Sequence, residues 1–170
     1  MEVVLALDNT ASMNNDNNIQ ALRDASVNFT NTLYDFAGAK NRLRVGVVPY
    51  SAAVNMGKYG YSQLDNPYSI PYTTDEKSAD WLGCVLEPRD TDLLDSPRTP
   101  FKMFRFCRDD DDNVTSNCSR FGSTKYYRNY NCPQTPILPL TTSKSDVIAT
   151  LKNMNTAGST SGTLSSIGML

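Results

Sequence analysis

The sequence predicts an α/β fold, and three stretches carry the prediction. Residues 2–7 (EVVLAL), apolar from Val3 onward, form a short run that stops at a polar loop, the pattern of a fully buried, parallel-type strand. Ile19, Leu22, Phe29, Leu33 and Phe36 then recur with Ser26 at spacings of three and four, as one face of an amphipathic helix does. Residues 43–50 (LRVGVVPY) form a second apolar strand, and Gly38 before it supplies a helix stop. Strand, long helix, strand is the opening of an α/β sandwich.

Beyond the second strand the character changes. Residues 55–136 hold seven of the nine prolines, seven of the nine tyrosines and all four cysteines, and no helical period survives there. A structureless loop of that length is unusual inside a compact domain. The stretch therefore reads as an inserted Cys/Pro/Tyr-rich subdomain held by disulfides, between core segments 1–54 and 137–170. Within it, Trp81 is expected in the core. Asp109, Asp110, Asp111 and Asp112 read as a solvated acidic turn, because the glycine and distal glutamate of a calcium loop are missing. The tyrosines serve either a contact surface or internal packing.

Regular patterning resumes with a short strand at 137–140. Ser143 and Asp146 resemble a capping box, and Val147, Ile148, Leu151 and Met154 make one helical face behind it. A loop rich in Gly, Ser and Thr covers 155–163, and residues 164–170 read as the start of another helix.

Composition excludes several functions. The formal net charge is −2, so the clustered basic excess that nucleic-acid phosphates require is missing. The chain has no histidine, which removes Ser-His-Asp and Cys-His nucleophile systems and any zinc site built on imidazole. Cys84, Cys107, Cys118 and Cys132 are spaced 23, 11 and 14 residues apart with no C-x-x-C pair, a poor zinc signature. Two disulfides fit better. Three connectivities are open, and Cys107–Cys118 as a local loop with Cys84–Cys132 as the outer closure is the favoured one. Disulfides imply an oxidising compartment. No stretch approaches the roughly 20 apolar residues of a membrane span, and no signal peptide is evident. The abrupt ends are those expected of a fragment or trimmed form of a longer protein.

The chemistry sits in the loop after the first strand. Asp8, Thr10 and Ser12 alternate through Asp8-Asn9-Thr10-Ala11-Ser12-Met13, so three oxygens can converge on one point at the carboxyl end of a strand, where open α/β sheets collect ligands. One carboxylate with two hydroxyls and waters suits a hard cation such as Mg²⁺. The plain alternative is that Asp8 and Thr10 only cap the first helix.

The pattern D-x-[ST]-x-S-M after an apolar strand, with a long amphipathic helix behind it, resembles the metal-ion-dependent adhesion site of von Willebrand factor A domains. Gly162-Thr163, five residues before Gly168, matches that family's downstream Gly-Thr loop. Pro139-Leu140-Thr141 followed by a helix matches its order of elements. A narrower resemblance, to the von Willebrand region of bacterial Flp/tight-adherence pilus-assembly proteins of the TadG type, rests on three pieces. They are residues 45–55 (VGVVPYSAAVN), Trp81-Leu82-Gly83-Cys84-Val85 with Arg89, and Cys132-Pro133.

The resemblance implies a Rossmann-like three-layer sandwich, incomplete at its C-terminus because the family's third acidic motif would lie beyond Leu170. It implies a divalent ion (Mg²⁺, or Mn²⁺ or Ca²⁺) held by Asp8, Thr10, Ser12 and Thr163. It also implies a binding role without catalysis, in which a protein partner, such as a pilus or secretion component, supplies an acidic side chain to the ion. The location implied is periplasmic or cell-surface, with a membrane tether in the full-length protein that this chain lacks. Two other classes compete. A haloacid-dehalogenase-type phosphotransferase also opens on a strand ending in aspartate, but its general acid would stand where Thr10 does. A metal-independent interaction module would use the loop only as a cap.

Overall fold

The two apolar runs become neighbouring parallel strands, joined by the long helix that a parallel crossover needs. In a computed structural model, which describes residues 1–37, 43–63, 72, 74, 80–86, 102–103, 106–108, 114–115, 126–127, 129 and 132–157, β1 (Glu2–Asp8) leads through a 3₁₀ segment (Ala11–Asn17) into α1 (Asn18–Ala37). β2 (Arg44–Tyr50), β3 (Val54–Asn55), a 3₁₀ turn (Gly57–Gln63), β4 (Cys84–Leu86) and β5 (Lys102–Met103) follow. After them come β6 (Phe106–Arg108), β7 (Val114–Thr115), β8 (Tyr126–Tyr127), β9 (Leu138–Thr141) and α2 (Lys144–Asn153).

β1 and β2 pair in parallel from Glu2 opposite Arg44 to Asp8 opposite Tyr50. β9 runs antiparallel along β2, with Val45 opposite Thr141 and Val47 opposite Leu138. β3, β4 and β5 extend the same sheet with antiparallel pairs, giving six strands in a mixed sheet. β6, β7 and β8 form a separate three-stranded antiparallel sheet. The class is α/β, as the sequence predicts.

Both helices lie on one face of the main sheet. Leu43, Val45 and Val47 meet Val147, Leu151 and Met154 in a buried cluster. Val3, Leu5, Leu7 and Leu138 from the sheet and Leu22, Val27, Leu33 and Tyr34 from α1 pack around it. β1 therefore differs from the fully buried strand its sequence suggests. Its residues alternate: Val3, Leu5 and Leu7 are half-buried, whereas Val4 is 56% exposed and Ala6 is exposed. The described residues form two layers, and the uncovered face of β1 follows from that.

The α1 face also differs. Phe29 and Phe36 are 49% and 91% exposed, while Ser26 and Thr30 are buried. At about 100° per residue, Ile19, Leu22, Ser26, Thr30 and Leu33 share one side, and Phe29 and Phe36 fall at its margin. Small polar side chains thus occupy part of the packed face.

α2 keeps its expected face, with Val147 and Leu151 fully buried. Its cap has one arm only. Asp146 N donates to Ser143 Oγ (3.3 Å), but Ser143 N donates to Thr141 Oγ1 (3.1 Å) rather than to Asp146. Aspartate is a methylene shorter than the Glu or Gln that completes a capping box.

The Trp-x-Gly-Cys element is structural. Trp81 is fully buried, and its Nε1 donates to Cys84 O at 2.9 Å. Gly83 has φ +114°, and a Cβ there would stand 2.4 Å from Asn55 Oδ1, so only glycine fits. Asn55 in turn donates from Nδ2 to Pro133 O (2.7 Å) and accepts from Gly57 N (2.8 Å). Cys84 and Cys132 form a disulfide with Cα atoms 5.8 Å apart, inside a small cluster with Ala53 and Leu82. Cys118 of the expected Cys107–Cys118 bond, the four aspartates Asp109 to Asp112 and the helix expected at 164–170 lie outside the described residues. Among the described residues no helix is long and apolar enough to cross a membrane.

Two stability outcomes follow from this packing. Leu151→Ala empties a fully buried site between the helix pair and β2, and is expected to cost about 2–5 kcal/mol in urea unfolding. A loss under 1 kcal/mol would mean that α2 is not part of the core. Reducing Cys84–Cys132, which closes a 48-residue separation, is expected to lower unfolding free energy by about 4 kcal/mol on the chain-entropy account. Equal unfolding midpoints with and without reductant would contradict it.

Candidate metal centre

β1 ends at Asp8, and the chain then turns over the carboxyl edge of the β1–β2 pair. Asp8 Oδ1 accepts from Thr10 N (2.8 Å) and from Thr10 Oγ1 (2.7 Å), and Thr10 Oγ1 lies 3.1 Å from Ser12 Oγ. The three expected oxygens are thus in one cluster, with Thr10 in the middle. Thr10 is buried, Asp8 half-buried and Ser12 exposed, so the cluster meets solvent on the Ser12 side. Thr10 stands at the N-cap position of the 3₁₀ segment, yet its side chain makes no capping hydrogen bond. The hydroxyl is turned to the carboxylate instead.

The run Asn14-Asn15-Asp16-Asn17, the end of the 3₁₀ segment, leads from this loop into α1. Asp16 and Asn17 have φ of 49° and 60°, a left-handed conformation that Asp and Asn tolerate better than other side chains with a Cβ. The site loop and the long helix can therefore take independent directions.

Asn9, between two of the candidate ligands, is fully buried and tied on several sides. Its N donates to Tyr50 O (2.7 Å), its O accepts from Ala157 N (2.7 Å), and its Nδ2 donates to Asn155 O (2.8 Å). Thr10 and Ala157 form a parallel bridge. The segment leaving α2 thus runs against the first loop. Thr163, the fourth expected ligand, with Gly162 and Gly168 of the same motif, lies outside the described residues.

Arg23 of α1 holds that returning segment. Its Nε and Nη2 both donate to Met154 O, the former at 2.6 Å. Nη2 also donates to Asn155 Oδ1 (2.7 Å), and Nη1 to Gln20 Oε1 (3.1 Å). Neither Arg23 nor Asn155 is marked by the sequence. Their partners are 131 and 146 residues away in the chain, beyond the reach of any local pattern.

Asp8 is the one acid of the cluster. Among the described residues no three His, Cys, Asp or Glu side chains gather into a metal cage. The donor set available here is therefore one carboxylate and two hydroxyls. Comparisons with protein-family models, curated proteins and solved structures returned no match.

The charge of Asp8 reaches its register partner. Burial raises the Tyr50 phenol above its ordinary value of 10.0, and the neighbouring Asp8 carboxylate raises it further. A phenol whose folded pKa is raised contributes stability that is intact below 10.0 and is lost as pH climbs through the folded value. With chelator present, Asp8→Asn is expected to bring the Tyr50 ionisation partway back towards 10.0 in an ultraviolet titration referenced to Tyr50→Phe. An unmoved titration would show that the carboxylate does not act on Tyr50.

Proposed function

We propose that this chain is a von Willebrand factor A-type binding domain that holds a divalent cation through Asp8, Thr10 and Ser12, with Thr163 as a fourth ligand. The observation that carries the reading is the spacing of three oxygens: 2.7 Å from Asp8 Oδ1 to Thr10 Oγ1 and 3.1 Å from Thr10 Oγ1 to Ser12 Oγ. Adjacent corners of an octahedron of oxygens at about 2.1 Å from Mg²⁺ are about 3.0 Å apart, whereas the longer Ca²⁺ bonds of about 2.4 Å would spread them to about 3.4 Å. Hydrogen bonds among the three groups hold these oxygens at separations compatible with a small hard ion.

The donor chemistry fits the ion. The Thr10 hydroxyl gives its proton to Asp8 and keeps lone pairs on oxygen, and Ser12 adds a second neutral donor at the solvent side. Asp8 supplies the one negative charge, directly or through water. An ion so bound is under-neutralised, and its remaining positions are open to water or to a carboxylate from another protein. Bound there, the cation would act as a Lewis-acidic anchor, and the function is recognition with no bond made or broken.

A third layer over the exposed face of β1 belongs to this reading. So do a periplasmic or cell-surface location, a membrane tether in the full-length protein, and a pilus-assembly or secretion partner with an acidic contact residue. They rest on the resemblance in sequence, and the Cys84–Cys132 disulfide is in keeping with an oxidising compartment.

The test is calorimetric titration of the chelated, re-equilibrated protein with Mn²⁺ and with Mg²⁺. Wild type is expected to bind one ion and Asp8→Ala to lose that binding. Equal affinity in the two proteins would rule out the assignment.

A further inference from the structure

The cation loop is held by a relay of side chains that belongs neither to the loop nor to the expected ligands. Arg23 projects from α1 and closes its guanidinium over the end of α2. Nε and Nη2 converge on Met154 O, and Nη2 also reaches Asn155 Oδ1. The carbonyl of the same Asn155 accepts from Asn9 Nδ2 at 2.8 Å, and Asn9 separates Asp8 from Thr10. Two residues further along, Ala157 N donates to Asn9 O. Helix α1, the end of α2 and the cation loop are thereby joined by one continuous set of hydrogen bonds.

Asn9 reveals what the relay is for. Its Oδ1 is buried with no hydrogen-bond partner, an unfavourable arrangement an apolar side chain would avoid. Turning the amide over does not help, because Asn155 O needs the donor that Nδ2 supplies. The side chain's contribution is that one donor, directed at the returning segment. Arg23 is suited to the other end. Its planar fork bonds a backbone carbonyl and a side-chain oxygen together, and its charge lies at the C-terminal end of α2, where the helix dipole is negative.

We propose that Arg23 is a positioning residue for cation binding, acting through Asn155 and Asn9 on the spacing of Asp8, Thr10 and Ser12. The inference rests on the metal-binding reading above. By fixing Asn155 it fixes Asn9, and with Asn9 held the residues on either side keep their oxygens at the separations an ion needs. Its sign is opposite to that of bare electrostatics: removing a nearby positive charge would by Coulomb's law tighten a cation, whereas losing the positioning contact loosens it.

The experiment is Mn²⁺ titration of wild type, Asp8→Ala, Arg23→Met, Arg23→Lys and Asn155→Ala, each with a urea melt in chelator. Partners that orient metal ligands typically contribute 10- to 100-fold in affinity. Arg23→Met is expected to weaken Mn²⁺ binding by about that factor. Arg23→Lys is expected to weaken it as well, since an ammonium keeps the charge but not the fork. Asn155 is exposed, and its replacement by alanine tests the relay in a protein whose core is untouched. It is expected to weaken binding, with the Arg23→Met/Asn155→Ala double variant showing no further loss.

Wild-type affinity in Arg23→Met and Asn155→Ala, beside loss in Asp8→Ala, would overturn the relay and leave the cation site standing. Tighter binding in Arg23→Met with wild-type affinity in Arg23→Lys would overturn it in favour of simple charge repulsion. An affinity loss that tracks only the loss of apo stability in the melts would overturn it in favour of a purely structural role. No Mn²⁺ binding by wild type would overturn the metal reading itself.

Discussion

Asn9 is the residue on which the arrangement of the edge depends. Through its own backbone it receives the end of β2 on one side and the segment leaving α2 on the other, and its side-chain amide adds a second bond to that segment. All of this takes place in a position with no solvent exposure. In such a setting a hydrogen bond is strong and an unmade one is expensive, so the three parts of the chain are held to one geometry. Asp8 and Thr10 are its immediate neighbours. Their side chains meet across it at 2.7 Å.

The rest of the fold serves to bring those parts together. The parallel β1–β2 pairing sets Asp8 level with Tyr50 at the carboxyl edge, and β9 on the far side of β2 starts α2 from the opposite end of the sheet. α2 then delivers Met154, Asn155 and Ala157 to the same edge. The buried cluster of Leu43, Val45, Val47, Val147, Leu151 and Met154 clamps that helix to β2, so the path of the returning segment is decided by core packing. Further from the site, the fit of Trp81, Gly83 and Asn55 and the Cys84–Cys132 bond secure the sheet extension through β3 and β4. This extension is tied back to the segment before β9 by Asn55, whose backbone oxygen accepts from Ile137 N.

Local pattern made much of this legible. Periodicity placed β1, α1, β2, β9 and α2 to within about two residues, as strongly periodic segments allow. Alternation of oxygen-bearing side chains singled out Asp8, Thr10 and Ser12 because a turn after a strand brings alternate residues to one side. What pattern did not carry was context. A helical period says that a face exists, but not how wide a neighbour covers it, so it groups Phe29 and Phe36, which face water, with residues that are buried. An apolar run says that a strand belongs in a sheet, but not that helices lie on one side only, which leaves Val4 exposed. Arg23, Asn155 and the part played by Asn9 were illegible for a different reason. Each is defined by a partner more than a hundred residues distant, and each is an ordinary surface-type residue in its own neighbourhood.

The claim at the centre is that a small hard cation sits among Asp8, Thr10 and Ser12. The most direct measurement is anomalous diffraction from crystals soaked in Mn²⁺. The account predicts an anomalous peak within bonding distance of the Thr10 and Ser12 hydroxyl oxygens, on the solvent side of Asp8. A well-ordered loop with no peak beside it, or a peak only elsewhere on the molecule, would contradict the account.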